Sequence, residues 1–269
     1  MNVPVRLSYF DPRYYQLIVQ TSLLSWGWIS LEFPFYPTQI LAILITTFLV
    51  QATFLAFYRL PQQYLSTFNT SLSLILLLYA NHWIWLALAA FIAIASKFIL
   101  RWNERHIFNP SNIGIVIVLL LSDSAWVAVG KWGQGLWLFL LVAGLGLVVI
   151  LGFQRMASSL VFLATYSTLL LLRALWLGDP WQIPFHQLQN GALLIFTFFM
   201  LSDPMTTPKH LAGRCLFGSG VALLAAYLQF AWFIPNAFLY ALAFASPFVP
   251  LINYYKSGEL YHWPIRSSQ

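Results

Sequence analysis

Two short polar segments interrupt an otherwise apolar chain, and each holds residue types that can grip an anion. The first runs Arg105-His106-Ile107-Phe108-Asn109-Pro110-Ser111-Asn112-Ile113-Gly114, the second Ser202-Asp203-Pro204-Met205-Thr206-Thr207-Pro208-Lys209-His210. In each, a side-chain acceptor (Asn109 or Asp203) stands directly before a proline. That order predicts an N-cap followed by proline at the first helical position, where the missing N–H costs nothing. Taken alone, two ordinary helix starts account for it. Taken as a pair, they would be broken-helix elements from an internal duplication, whose N-termini offer partial positive charge and free N–H groups to a phosphate or headgroup. His106, Lys209, His210 and Arg214 would add contacts to such a group.

Other chemistries find less support. One cysteine, Cys215, excludes an internal disulfide framework and any cysteine-held metal or iron–sulfur site. His82, His106, His186, His210 and His262 fall near the ends of apolar stretches, a poor arrangement for bis-histidine haem. No carboxylate lies at the centre of such a stretch, as one would in a proton or sodium carrier. There is no Gly-rich nucleotide loop, no metal-ligand spacing and no serine-nucleophile elbow. Gly144, Gly146 and Gly152 read as packing positions between helices.

The elements that must carry these segments follow from composition. Of 269 residues, 60% are hydrophobic and 7% charged, against roughly 25% charged in a soluble domain, so the bilayer is the simpler solvent. The 23 Phe, 13 Tyr and 12 Trp suit membrane interfaces. Long continuous apolar runs predict helices rather than the alternating strands of a barrel. Spans are expected near 14–31, 38–58, 64–80, 82–100, 107–121, 135–152, 158–177, 185–201, 211–231 and 235–254, with 64–80 diluted by Ser66, Thr67, Asn69, Thr70 and Ser71. No cleavable signal is expected, since the first apolar stretch contains Gln16 and Gln20 and lacks a small-residue cleavage site.

Ten spans with both termini cytoplasmic put Arg6, Arg13, Arg59, Lys97, Arg101, Arg105, Arg155, Lys209, Arg214, Lys256 and Arg266 inside, leaving outside only Lys131 and Arg173 of the 13 basic residues. The net charge of +6 thus reads as a positive-inside signal, and no nucleic-acid partner is expected. The expected fold is all-α: one transmembrane domain over 1–269, with halves of about 14–121 and 135–254.

Three segments resemble a known family of membrane subunits, formed by the D subunit of the Rnf complex and the B subunit of the sodium-translocating NADH:quinone reductase (Nqr). His106-Ile107-Phe108-Asn109-Pro110 with Gly114 looks like the family's H-x-F-N-P…G helix start. Phe198-Phe199-Met200-Leu201-Ser202-Asp203-Pro204, with Thr206 and Thr207, looks like its F-F-M-x-[ST]-D-P-[VM]-[ST] signature. Pro235-Asn236, Ala241-Leu242, Phe248 and Pro250-Leu251-Ile252-Asn253 look like its last helix, with Asn253 where the family often has Asp. The resemblance covers about residues 40–255.

It implies ten helices in two related halves, a urea-transporter-like architecture, a place in the bacterial inner membrane or an equivalent energy-transducing membrane, and electron transfer through flavin. Family members carry FMN on a threonine in an S-G-A-T-like sequence. Here the corresponding segment, Ser122 to Gln134, has no threonine, and Ala164-Thr165 lies within an expected span. Covalent FMN is therefore not expected, and FMN or riboflavin would be held non-covalently.

The leading reading is a subunit of an Rnf/Nqr-like electron-transport complex, binding flavin or quinone and working with other membrane subunits. Asn109, Pro110, Asn112, Gly114, Asp203, Pro204, Thr206 and Thr207 would shape its polar site. Without a nucleotide-binding domain or iron–sulfur ligands, such a chain could not oxidise NADH alone. The alternatives are a channel or carrier for a small neutral solute and a cofactor-free scaffold or assembly factor. A bound chromophore separates the first reading from the other two, and solute flux separates those.

Overall fold

The computed structural model describes residues 11–30, 36–127, 144 and 156–255. The chain opens with α1 (Pro12–Ser30), α2 (Pro37–Phe57) and α3 (Leu65–Leu77), which runs into strand β1 (Leu78–Ala80). Next come α4 (Trp83–Ile99), the hairpin of β2 (Arg101–Trp102) and β3 (Arg105–His106), α5 (Pro110–Leu121) and β4 (Ala125–Val127). The later part holds α6 (Met156–Leu177), α7 (Gln182–Leu188) and α8 (Gly191–Ile195), which widens into a π-helical turn, Phe196–Met200. It closes with α9 (Leu211–Ala231), α10 (Ala237–Ala245), a 3₁₀ turn (Ser246–Phe248) and α11 (Val249–Tyr255).

Local chemistry sets several of these boundaries. Asn109 caps α5, its Oδ1 accepting from Asn112 N–H at 3.1 Å, with Pro110 in the first turn. His82 and His210 each turn Nδ1 to an N–H two residues on and cap α4 and α9. Asn103 (φ 44°) and Glu104 (φ 64°) sit at left-handed φ in the hairpin's two-residue turn, the backbone a tight right-twisted hairpin requires.

Packing is that of a membrane protein. On α2, Leu41, Ile45 and Leu49 are exposed at intervals of one turn, while Ile43, Thr47, Gln51 and Leu55 face inward. Apolar side chains thus face lipid and hydroxyl and amide groups face the bundle, where Thr47 and Ser71 share a 2.7 Å hydrogen bond. Close helix approach depends on small residues. A Cβ on Gly114 would meet the Ala89 carbonyl of α4 at 2.5 Å, and one on Gly218 the Ser158 carbonyl of α6 at 2.5 Å. Phe162, Phe196 and Phe238, with centroids 5.3 and 5.0 Å apart, join α6, the π turn and α10.

Among the described residues, four helices are long and apolar enough to cross a membrane: Pro37–Phe57, Met156–Leu177, Leu211–Ala231 and Ala237–Tyr255. Leu65–Leu77, Trp83–Ile99, Pro110–Leu121 and Gly191–Met200 are shorter apolar helices. The 64–80 stretch ends as a strand, because Leu78–Ala80 pairs antiparallel with Ala125–Val127 and leaves the helical ladder. The 14–31 helix is present but more polar than the four. Apart from Gly144, the span expected at 135–152, together with both termini, His262 and 128–134 of the threonine-free segment, lies outside the described residues, and so do Gly146 and Gly152. Around Gly144, no described atom lies within 4 Å of a built Cβ.

Candidate functional site

The polar segments meet at one end of the bundle. Arg105, on β3, reaches across to the 201–210 connection. Its Nε donates to the Met205 carbonyl at 3.0 Å and its Nη2 to the carbonyls of Thr207, at 2.9 Å, and Pro204. Asn109 Nδ2 donates to Asp203 Oδ2 at 3.2 Å, and His106 Nε2 lies 3.6 Å from the same oxygen. The third segment joins through Asn253, whose Oδ1 accepts from Lys209 N–H at 2.8 Å.

The second segment differs from its expected form. Asp203 does not cap a helix and Pro204 does not begin one, since the next helix starts at Leu211. Instead Asp203 organises a tight turn. Its Oδ1 accepts from Met205 N–H at 2.9 Å, and its carbonyl takes Thr206 and Thr207 N–H, both at 3.2 Å, and Thr207 Oγ1 at 3.0 Å. Two prolines, Pro204 and Pro208, deny the stretch a regular helical ladder.

Burial alone would push the Asp203 carboxyl up. The hydrogen bond and charge of His106, the Met205 N–H and the charge of Arg105 outweigh it and hold the carboxyl below its ordinary range. A depressed native pKa stabilises the fold above the unfolded value of about 3.9, and that contribution is lost as pH falls below it. Asp203→Asn is therefore expected to cost about 1–2 kcal/mol at pH 7. The gap from the parent should narrow below about pH 4, as read by unfolding in mild detergent.

Two openings flank this junction. A polar cavity of about 210 Å³ is lined by Asn109, Pro110, Asp203 and Pro204, with Ser66, Asn69, Thr70 and Ser73 of α3, Arg13 and Gln16 of α1, and Lys97 of α4. A larger cleft of about 680 Å³ lies between the hairpin and α11, lined by Trp102, Arg105, Lys209, Leu251, Asn253 and Tyr254. His106 and Met205 line both.

The other expected site residues make contacts within the fold. Asn112 Nδ2 donates to the Leu239 carbonyl at 3.0 Å, and Gly114 admits Ala89. Thr206 and Thr207 are buried under the Asp203 turn. His210 is an exposed helix cap, and Arg214 donates to the carbonyls of Pro208 at 3.2 Å and Lys209 at 2.7 Å. Among the described residues, no group of three His, Cys, Asp or Glu could hold a metal.

Sequence reasoning missed Arg105 as the clamp, Lys97 as a cavity residue, and the aromatic walls Trp102 and Tyr254. A signal existed for α3: its Ser66, Asn69, Thr70 and Ser73 recur on the helix faces that line the cavity.

Residues 121–261 match the family model described as the NQR2, RnfD, RnfE family, more than half of the chain. The chain belongs to this family. The D subunit of the ion-translocating oxidoreductase complex of Cronobacter sakazakii is 36% identical over 106 residues, covering 39% of this chain and 29% of that protein. The Citrobacter koseri protein of the same description is 35% identical over 104 residues, with the same shares. The corresponding Escherichia coli protein is 32% identical over 102 residues, 38% of this chain and 29% of its own. The matched stretch thus spans under a third of these NQR2, RnfD, RnfE family relatives.

Proposed function

We propose that this chain is a membrane subunit of an ion-translocating electron-transport complex of the Rnf/Nqr type, holding a flavin or quinone non-covalently and working beside other membrane subunits. The observation that carries the reading is the convergence of the three family-like segments on the Arg105–Asp203 junction, next to an aromatic-lined cleft. At about 680 Å³ the cleft is within the usual range for a cofactor site of this size. Trp102 and Tyr254 offer ring faces to a planar group, and Arg105, Lys209 and His106 offer donors to a phosphate or carbonyl edge. A flavin there would supply one- and two-electron chemistry, and the residues of this chain would bind and orient it.

The finer architecture belongs to the same proposal: ten helices in two related halves, urea-transporter-like, both termini cytoplasmic, in a bacterial inner membrane or its equivalent. Repetition of local structure supports the halves. Histidine caps both α4 and α9, asparagine precedes both α5 and α10, and α4 packs on α5 as α9 packs on α10. By that pairing the counterpart of Asn109-Pro110 is Pro235-Asn236, not Asp203-Pro204.

The test is the absorption and fluorescence spectrum of the purified protein in mild detergent, before and after acid precipitation. A flavin spectrum released to the supernatant, or a quinone in the lipid extract, is the expected result. A protein with neither would overturn the cofactor reading and favour solute passage or assembly, and a flavin left in the pellet would mean covalent attachment.

A further inference from the structure

Among the described residues, only His106 and Met205 line both the polar cavity and the aromatic cleft, and of the two only His106 can carry a proton. Its Nε2 lies 3.6 Å from Asp203 Oδ2. That carboxylate is fixed in place, because Asn109 Nδ2 donates to the same oxygen at 3.2 Å and Met205 N–H donates to Oδ1 at 2.9 Å. A carboxylate held against one nitrogen of an imidazole orients the ring and leaves the other nitrogen for proton transfer. Here the other nitrogen is Nδ1. It has no hydrogen-bond partner among the described residues, and it is not sealed from solvent.

A flavin or quinone needs protons as well as electrons. Full reduction to the neutral dihydro form takes two of each, the electrons coming here from a one-electron carrier on another subunit. The charged and titratable groups around the ring are Arg105, Lys209 and Tyr254 on the cleft side, and Asp203, Lys97 and Arg13 on the cavity side. Arg105 is committed to three carbonyls, and a guanidinium does not give up its proton. Imidazole is the side chain in this set suited to proton exchange near neutral pH.

We propose that His106 is the proton donor to the group held in the cleft, with Asp203 as its positioning residue; the inference rests on the cofactor reading and deepens it. Once protonated, the ring carries its transferable proton on Nδ1. The N–H bond there breaks as a new N–H or O–H bond forms on the reduced group. The imidazole is left neutral, with its remaining proton on Nε2 toward Asp203. Solvent then returns a proton to the ring and supplies the second proton of the reduction.

The experiment has two arms, both on the full chain in mild detergent. In the first, the chain stripped of any chromophore is treated with diethyl pyrocarbonate, with and without FMN or menadione, and each histidine is read by mass spectrometry. His106 should react in the stripped chain and be protected by one of the two ligands, while the exposed caps His82 and His210 react throughout. In the second, the chromophore-bearing chain is mixed anaerobically with reduced methyl viologen, which brings electrons without protons, and a pH dye follows proton uptake. Per bound chromophore, His106→Gln should slow proton uptake about tenfold or more, and added imidazole should restore it. Asp203→Asn should slow it by a smaller factor, and it keeps the test open where His106→Gln fails to fold. With a chromophore present, an unreactive or unprotected His106, or proton uptake at the parent rate in the variants, would overturn the proposal and leave the cofactor reading standing. Slowing that imidazole does not relieve would mean a structural role and would overturn it too. A parent chain with no chromophore and no protection by either ligand would overturn both.

Discussion

Arg105→Ala is expected to lower the unfolding free energy by about 3 kcal/mol, among the larger effects of a single substitution in this chain. The guanidinium is part-buried and donates to three carbonyls on one turn, those of Pro204, Met205 and Thr207. Its removal strips all three of a charge-assisted donor in a place with little water to replace it, and it also takes away a charge that favours ionised Asp203. The effect should be mostly geometric. Lysine offers a point charge on a flexible stem and cannot hold three carbonyls with a planar fork, so Arg105→Lys should recover less than half of the loss. Thermal unfolding in mild detergent measures both. A lysine variant as stable as the parent would show that charge, not the fork, holds the turn.

Gly114→Leu is expected to be at least as damaging, at about 3–5 kcal/mol or outright failure to fold. Even the first added carbon would stand 2.5 Å from the Ala89 carbonyl and 3.0 Å from Ala93 Cβ, so α5 must move off α4. The movement spreads, because α5 also carries Asn109 to Asp203 and Asn112 to the Leu239 carbonyl. Gly114→Ala should already cost about 1–3 kcal/mol by the same contact. Gly220→Ala is the matched control. It lies on α9 with nothing within 4 Å of its Cβ, and alanine should be neutral or stabilising by up to about 1 kcal/mol. Equal losses at both glycines would refute the close-approach explanation.

Arg105 and Gly114 also mark the line between what the sequence reveals and what it hides. Membrane residence is plain from the scarcity of charge, and Asn109-Pro110 announces its helix because a cap is a local event. Asp203-Pro204 carries the same local signal and builds no helix, since its fate depends on Arg105, about a hundred residues earlier in the chain. The polar stretch of α3 reads as weakness in a span. In the fold Ser66, Asn69 and Thr70 of that stretch are part of the wall of a cavity, a fact that depends on which face α1, α4 and α5 cover. Lys97 reads as a loop charge at a helix end, and only its direction, inward to Gln51 and Ser66, makes it part of the site. Short strands such as Leu78–Ala80 give no period to find, because three residues cannot show alternation.

Those strands bear on how the chain is made. Outside water, a strand is tolerable only when its N–H and C=O groups are paired. Leu78–Ala80 finds its partner in Ala125–Val127, and Gln39 of α2 closes the Ala80 carbonyl at 2.9 Å. The partner strand is synthesised only after α4 and α5, and α3 and α5, with 13 and 12 residues, are each shorter than the ~20 a solitary span requires. Biogenesis of this part of the protein is thus expected to be concerted, residues 65–127 entering the lipid together rather than helix by helix, and truncation at residue 110 should leave α3 and α4 uninserted in a membrane-extraction assay.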